Sequence, residues 1–261
     1  MKKIIAILLM IVMMLSISAC TAKPVAGTNV EGVLTVGFDQ NFPPMGFVGD
    51  DGQFTGFDLE LAAETAKRLD LELKLQPIKW TSKDFELTSG NIDCIWNGFT
   101  INGRENDYTW TDPYMANNQV FVVNADSGIT KLSDLEGKIV VVQSDSSAEK
   151  ALAGESDLVN SFGQYIKSAD YDVAIMDLEA GAVDAVAMDE VVANYNIEKR
   201  NLNLIVLEEK LAEEEYGVGF LLENEELRDS IQKTLEGMAK DGTMAKISEK
   251  WFGKDITTIG K

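Results

Sequence analysis

Histidine is absent from this chain of 261 residues. Its absence removes the commonest general base, the usual zinc ligand and every triad built on an imidazole. Cysteine occurs only at Cys20 and Cys94, and the different settings of the two leave no disulfide framework. Positive charge is scarce: 23 Lys and Arg stand against 43 Asp and Glu, a net charge of −20. That balance argues against nucleic acid and anionic membrane surfaces as partners. No short-period internal repeat is visible, so solenoid architectures are excluded.

The amino terminus carries the first positive signal. Lys2 and Lys3 precede an uncharged apolar run from Ile4 to Leu15, followed by Ile17-Ser18-Ala19-Cys20. A basic start, a run of roughly 7–15 apolar residues and small residues before a cut site mark a secretory signal. The run is short against the ~20 residues that a spanning helix needs. Cys20 after Ser-Ala makes the cut look like a lipobox. The expectation is a signal peptide over 1–19, a lipid on Cys20 and a flexible tether over 20–32. Cys94 sits in Asn91-Ile92-Asp93-Cys94-Ile95-Trp96 and reads as a small buried hydrophobe.

From Val33 onward, strand-like and helix-like segments alternate. Val33–Gly37, Leu71–Leu75, Ile92–Trp96, Val120–Asn124, Ile139–Gln143, Val183–Met188 and Tyr216–Leu222 read as strands. Helical spacing marks Phe57–Leu69, Ser146–Leu152, Ala169–Ala180, Asp189–Glu198, Glu225–Met238 and Thr243–Trp251. In the Phe57 helix, Leu59, Ala62, Ala63, Ala66 and Leu69 form one stripe. The acidic runs Glu213-Glu214-Glu215 and Glu223–Glu226 read as solvated helix faces. Alternation of this kind predicts α/β sheets with helices on both faces.

Five segments carry candidate chemistry. The loop Gly37–Phe47 follows the first strand, where ligands of open α/β sheets bind, and presents Asp39 and Phe42. Gly52–Ala62 presents Gly56 and Asp58 in structural roles. Trp96-Asn97-Gly98-Phe99-Thr100 leads to Arg104, whose guanidinium suits a carboxylate. Gln143-Ser144-Asp145-Ser146-Ser147 opens a helix whose free N–H groups and hydroxyls suit an anion. Met188-Asp189-Glu190 is a second strand-to-helix point, where Asp189 either caps the helix or faces a cation.

These five segments, in this order, resemble the polar amino-acid-binding proteins of bacterial ABC importers, the extracellular solute-binding proteins of family 3. The resemblance runs from Val33 to Phe252 and is sharpest at Gly56-Phe57-Asp58-Leu59-Glu60-Leu61 and at Asp241-Gly242-Thr243 to Trp251-Phe252. It implies a two-lobed periplasmic-binding-protein fold of the second type. Lobe 1 would be 33–118 plus 217–261 and lobe 2 119–216, with crossing strands near Gln119–Asn124 and Leu211–Gly219. By position, Arg104 would hold the ligand carboxylate with Thr100, the Gly98 backbone, Ser146 and Ser147. Asp189, with Asn97, would take the ammonium. Phe42 and Trp80 would flank the side chain, while Asp39 and Gln143 would reach its polar end.

Two departures stand out. The Thr100–Arg104 loop is one residue shorter than usual in that family, and Asp145 stands where glycine is common. Asp145 is expected to point away from the ligand.

The resemblance implies a monomer that captures arginine, lysine, glutamine or cystine and passes it to the transmembrane subunits of an ABC permease. It implies no cofactor, no metal and no catalysis. A lipid anchor would hold the protein on the extracytoplasmic face of the membrane, more in keeping with a Gram-positive surface than with a periplasm. The alternatives are a cyclohexadienyl dehydratase-like enzyme on the same fold, with Asp39 or Glu190 as its acid, and a ligand-sensing ectodomain.

Overall fold

The computed structural model describes residues 26–261. The expected signal peptide, Cys20 and the start of the tether lie outside the described residues. Two sheets carry the architecture. In the first, Val33–Phe38 pairs in parallel with Glu72–Pro77 on one side and with Cys94–Ile95 on the other. Gly219–Phe220 and Thr109–Trp110 extend that edge in antiparallel fashion. The second sheet runs in the order Gln164–Ser168, Ile139–Gln143, Ala185–Asp189, Met115–Asn124, Leu204–Val206. This is the two-lobed α/β architecture the sequence leads one to expect.

Burial explains why these segments are strands. Leu34, Val36, Phe38, Val140 and Val142 are fully buried, as strands covered by helices on both faces require. Each such side chain contributes about 1.5–3 kcal/mol on leaving water. The helix Phe57–Arg68 covers the first sheet with Leu59, Leu61, Ala62, Thr65 and Ala66. Its buried stripe is rotated from the expected one: Ala63 faces solvent while Leu61 and Thr65 lie inside. Gly56 starts this helix at φ 140°, and a Cβ there would stand 2.3 Å from the Met45 carbonyl oxygen. Only glycine fits that junction.

Met115–Asn124 ties the sheets together. Its first half pairs with Ala212–Tyr216, from Met115 opposite Tyr216 to Gln119 opposite Ala212. Its second half lies between Ala185–Asp189 and Leu204–Val206. The antiparallel ribbon is therefore Met115–Gln119 with Ala212–Tyr216, on the amino-terminal side of the expected Gln119–Asn124. The Tyr216–Leu222 segment, expected as one strand, is two, because the chain passes from one sheet to the other at Gly217-Val218.

One acidic run differs from expectation. Glu213-Glu214-Glu215 is part of the Ala212–Tyr216 strand, not a helix face. A strand alternates its side chains with a period of two, so Glu213 and Glu215 face solvent while Glu214 and Tyr216 are buried. The helix Glu225–Asp241 ends at Gly242 with φ 79°, and Thr243–Phe252 follows at once. Among the described residues no helix is long and apolar enough to cross a membrane.

Candidate functional site

Loops at the carboxyl ends of strands from both sheets meet in one cleft. Arg104 enters it from the first lobe and is only 6% exposed. The loop before it is shortened by a tight turn in which Arg104 N–H donates to the Ile101 carbonyl and Gly103 takes φ 75°. That turn brings the guanidinium back over the Phe99 ring, 5.3 Å from its centroid. Nη1 donates to the Thr100 carbonyl at 3.2 Å and to Ser147 Oγ of the opposite lobe at 3.0 Å. The short loop thus still delivers Arg104 to the cleft. Among the described residues the guanidinium has neutral acceptors and no carboxylate within salt-bridge distance. An arginine held in this way is suited to an incoming anion.

Two serines open the helix Ser147–Gly154, and their roles divide. Ser146 caps it, accepting from Glu149 N–H at 3.1 Å, so its hydroxyl is committed to the helix. Ser147 faces Arg104 and donates to Thr100 Oγ1 at 2.6 Å. The Gly98 N–H, expected to meet a ligand carboxylate, donates instead to Asp58. Asp58 also accepts from the Tyr114 hydroxyl at 2.9 Å. Its burial pushes the carboxyl up to about 7, opposed by those two donors. Asp58 is therefore an internal brace between the helix start and the Gly98 turn.

Asp189 occupies the N-cap position of the helix Glu190–Arg200 yet makes no side-chain cap bond. Asn117 Oδ1 serves the Val191 N–H in its place, at 3.2 Å. The Asp189 carboxylate is thereby turned inward, toward the Met115–Asn124 and Ala212–Tyr216 strands. It accepts from Gln119 Nε2 at 2.9 Å, from Asn117 Nδ2 at 3.2 Å and from the Tyr216 hydroxyl. None of these partners is a cation.

Across the cleft, Asp39 Oδ2 accepts from Gln143 Nε2 at 2.8 Å, which joins the two lobes. Burial raises the Asp39 carboxyl above its usual range, and the Asn41 N–H and Gln143 amide oppose the rise. Asn97 Oδ1 accepts from the Asp39 N–H at 2.9 Å, so Asn97 braces the Asp39 loop and does not present its side-chain carbonyl to the cleft.

Phe42 and Trp80 each pack against a different ring. Phe42 packs against Tyr171 at 6.0 Å and Trp80 against Phe99 at 5.4 Å. Trp80 Nε1 donates to the Asp145 carbonyl of the facing lobe at 3.1 Å. Asp145 itself has φ 62° and directs its half-exposed side chain to the buried Lys83 ammonium.

Cavities open at both ends of this arrangement. One of about 780 Å³ is lined by Asp39, Asn41, Lys79, Trp80, Ser144 and Lys167 among others. Another of about 430 Å³ lies between Arg104 and Tyr108 on one lobe and Asp145, Ser146 and Lys150 on the other. Cys94 is fully buried, and burial pushes its thiol well above the usual range, which suits a packing role.

Three residues at the cleft escaped sequence reasoning. Glu214 is 4% exposed and accepts from Thr100 Oγ1, Asn117 and Gln119. Asn117 and Gln119 are spaced by two on one strand, as are Glu214 and Tyr216 on its partner. The period of two is one of burial and not of residue type, since Asn117-Asn118-Gln119 and Glu213-Glu214-Glu215 are polar throughout, so the sequence offered little signal.

A cleft between two α/β lobes that holds a buried arginine, buried aspartates and aromatic rings is the arrangement of a solute-binding protein. The chain matches the model of bacterial extracellular solute-binding proteins, family 3, over residues 34–254, and belongs to that family. It is 36% identical over 230 residues to the L-cystine-binding protein TcyJ of Escherichia coli, spanning 87% of this chain and 85% of that protein. An ABC uptake transporter substrate-binding protein from Streptococcus pneumoniae with bound histidine superposes with TM-score 0.84 at 34% identity, covering 87% and 95% of the two chains. An ancestral arginine-binding protein bound to arginine gives TM-score 0.78 at 36% identity, over 85% and 99%.

Proposed function

We propose that this chain captures one free polar or basic amino acid between its two lobes and presents it to the membrane subunits of an ABC permease. The observation that carries the reading is the pairing of two buried groups in one cleft. Arg104 has no carboxylate partner among the described residues, and Asp189 forgoes its helix cap to face inward. A chain of bonds from Arg104 through Ser147 and Thr100 to Glu214 keeps the two poles close. An α-amino acid bears both complementary groups on a single carbon.

In this reading Arg104, Ser147 and Thr100 hold the α-carboxylate and Asp189 the ammonium. The lobes are residues 33–118 with 217–261 and residues 119–216. Asp39 and Gln143 meet the far end of the side chain, with Phe42 and Trp80 beside it. That end must offer donors to Asp39, which favours arginine, lysine, glutamine or cystine, and the relatives named for cystine, histidine and arginine fall in or near that class. Binding closes the lobes and completes no covalent step. A lipid on Cys20 would anchor the protein, as a monomer, on the extracytoplasmic face of the membrane.

The test is a thermal-shift panel of all amino acids and cystine, run after bound ligand is stripped by unfolding and refolding. A ligand at a thousandfold excess over Kd stabilises by about 4 kcal/mol. One clear hit among the polar or basic amino acids is expected, and a panel without any hit refutes the reading.

A further inference from the structure

Asp189 and Glu214 share their hydrogen-bond donors. Asn117 Nδ2 lies 2.6 Å from Glu214 Oε1 and 3.2 Å from Asp189 Oδ1, and Gln119 Nε2 lies 2.8 and 2.9 Å from the same two atoms. Each acid is 4% exposed. Two carboxylates so close, in a dry site, are compatible only when a proton or another cation sits between them. The neighbouring donors are neutral amides and hydroxyls, which cannot supply that charge.

Other buried polar atoms at the pair also await a partner. Gln119 is fully buried, and its Oε1 has no donor among the described residues. A free amide oxygen beside two acids asks for a group that donates several hydrogens at once. Tyr171, 1% exposed, turns its hydroxyl toward Ser146 and the same acids without a hydrogen bond of good geometry. An ammonium carries three donors and one charge, which answers both needs.

We propose that Glu214 is a second acid for the ligand ammonium, and that the Asp189–Glu214 pair holds one proton until that ammonium displaces it to solvent. The inference rests on the amino-acid reading above. The balance is simple. The empty pair carries two carboxyl groups and one proton, net −1. When the ammonium enters, the shared O–H proton leaves to buffer, and two carboxylates with one ammonium again sum to −1.

The surroundings agree with this assignment. Burial first, and the Glu214 charge next, push the Asp189 carboxyl well above its usual range. The charged or titratable groups near the pair are Tyr216, Tyr171, Tyr114, Asp39, Glu190 and, through Ser147 and Thr100, Arg104. Burial holds Tyr216, Tyr171 and Tyr114 protonated. Glu190 is engaged with Asn118. Asp39, whose carboxyl is also raised by burial, is the one neighbour that could contribute a proton of its own.

The experiment is titration calorimetry of the full folded chain with L-arginine, L-glutamine and L-cystine. Buffers of different ionisation enthalpy count the protons released, at about pH 5.5 and about pH 8. The wild type is expected to release about one proton per ligand at the lower pH and to bind more tightly at the higher. Glu214→Gln keeps the shape and loses the charge; it should abolish the release, flatten the pH profile and weaken binding at least tenfold at the higher pH. Asp39→Asn, although it weakens binding of cationic side chains, should retain the release when L-glutamine binds.

A wild type that binds without releasing a proton overturns the inference, and that count does not depend on any variant folding. A release that survives Glu214→Gln but disappears in Asp39→Asn also overturns it, by moving the titrating acid to Asp39. If none of the three amino acids binds, the amino-acid reading falls and the inference falls with it.

Discussion

Replacing Asp145 by Asn tests what the closed lobes gain from one contact at the edge of the cleft. Lys83 belongs to the first lobe and Asp145 to the second, so their ion pair forms only when the lobes meet. Lys83 is almost fully buried, its side chain 2% exposed, while the Asp145 side chain is 52% exposed. An exposed pair contributes about 0.2–1 kcal/mol, whereas breaking a fully buried one costs about 3–5 kcal/mol. This pair lies between those limits, at about 1–2 kcal/mol, or about 5- to 30-fold in Kd. Asn tolerates the left-handed backbone at φ 62°. The substitution also leaves the Asp145 carbonyl in place for Trp80 and Arg104.

Calorimetry of the variant at low and high salt is the assay. The account predicts weaker binding, with a shallower salt dependence than the wild type because a screened charge pair has gone. A Kd within about twofold of the wild type, with the same salt slope, would show that the latch contributes nothing to closure.

Arg104→Lys keeps a charge but loses the planar fork, and should raise Kd about 10- to 100-fold, read by calorimetry; wild-type affinity would remove Arg104 from the carboxylate site. Asp39→Asn preserves a contact to Gln143 but not the charge, and should weaken arginine and lysine about tenfold or more relative to glutamine in competition binding; an unchanged preference contradicts the side-chain subsite. The buried Asp58 gives a pH prediction for stability. Its folded carboxyl lies at about 7 against an ordinary 3.8, so the folded state holds a proton that the unfolded chain releases. Stability should therefore fall as pH rises from about 4 to about 7, by about 4 kcal/mol from this group. Denaturant unfolding of Asp58→Asn should show that slope reduced, and an unaltered slope would place the titration elsewhere.

The α/β alternation was legible because buried parallel strands such as Ile139–Gln143 and helices such as Glu225–Asp241 carry their own periodicities. Segments whose burial is set by a distant partner were harder. Gln164–Ser168 is an edge strand with little apolar signal, and the sequence reading did not single it out. Glu213-Glu214-Glu215 read as a helix face because three consecutive glutamates mask a period of two, and only the family resemblance placed a crossing strand over Leu211–Gly219. Among cleft residues, Asp189, Asp39 and Gln143 stood at strand ends where a ligand site is expected, with Arg104 on the loop that follows Cys94–Ile95. What the chain order concealed was competition for donors. Gly98 offers an N–H that Asp58 takes, Asn97 is used to hold the Asp39 loop, and Ser146 is spent on its helix. Glu214 acquires its place only when the antiparallel ribbon brings it under Thr100 and beside Asp189. A linear sequence does not display such pairings.

A crystal structure of the refolded protein with its best amino acid from the thermal-shift panel tests the central claim most directly. The account predicts the α-carboxylate about 3 Å from the Arg104 guanidinium and Ser147, and the ammonium about 3 Å from the Asp189 carboxylate. Both lobes should contact the same molecule. A ligand seated away from Arg104 and Asp189, or touching one lobe alone, would contradict it.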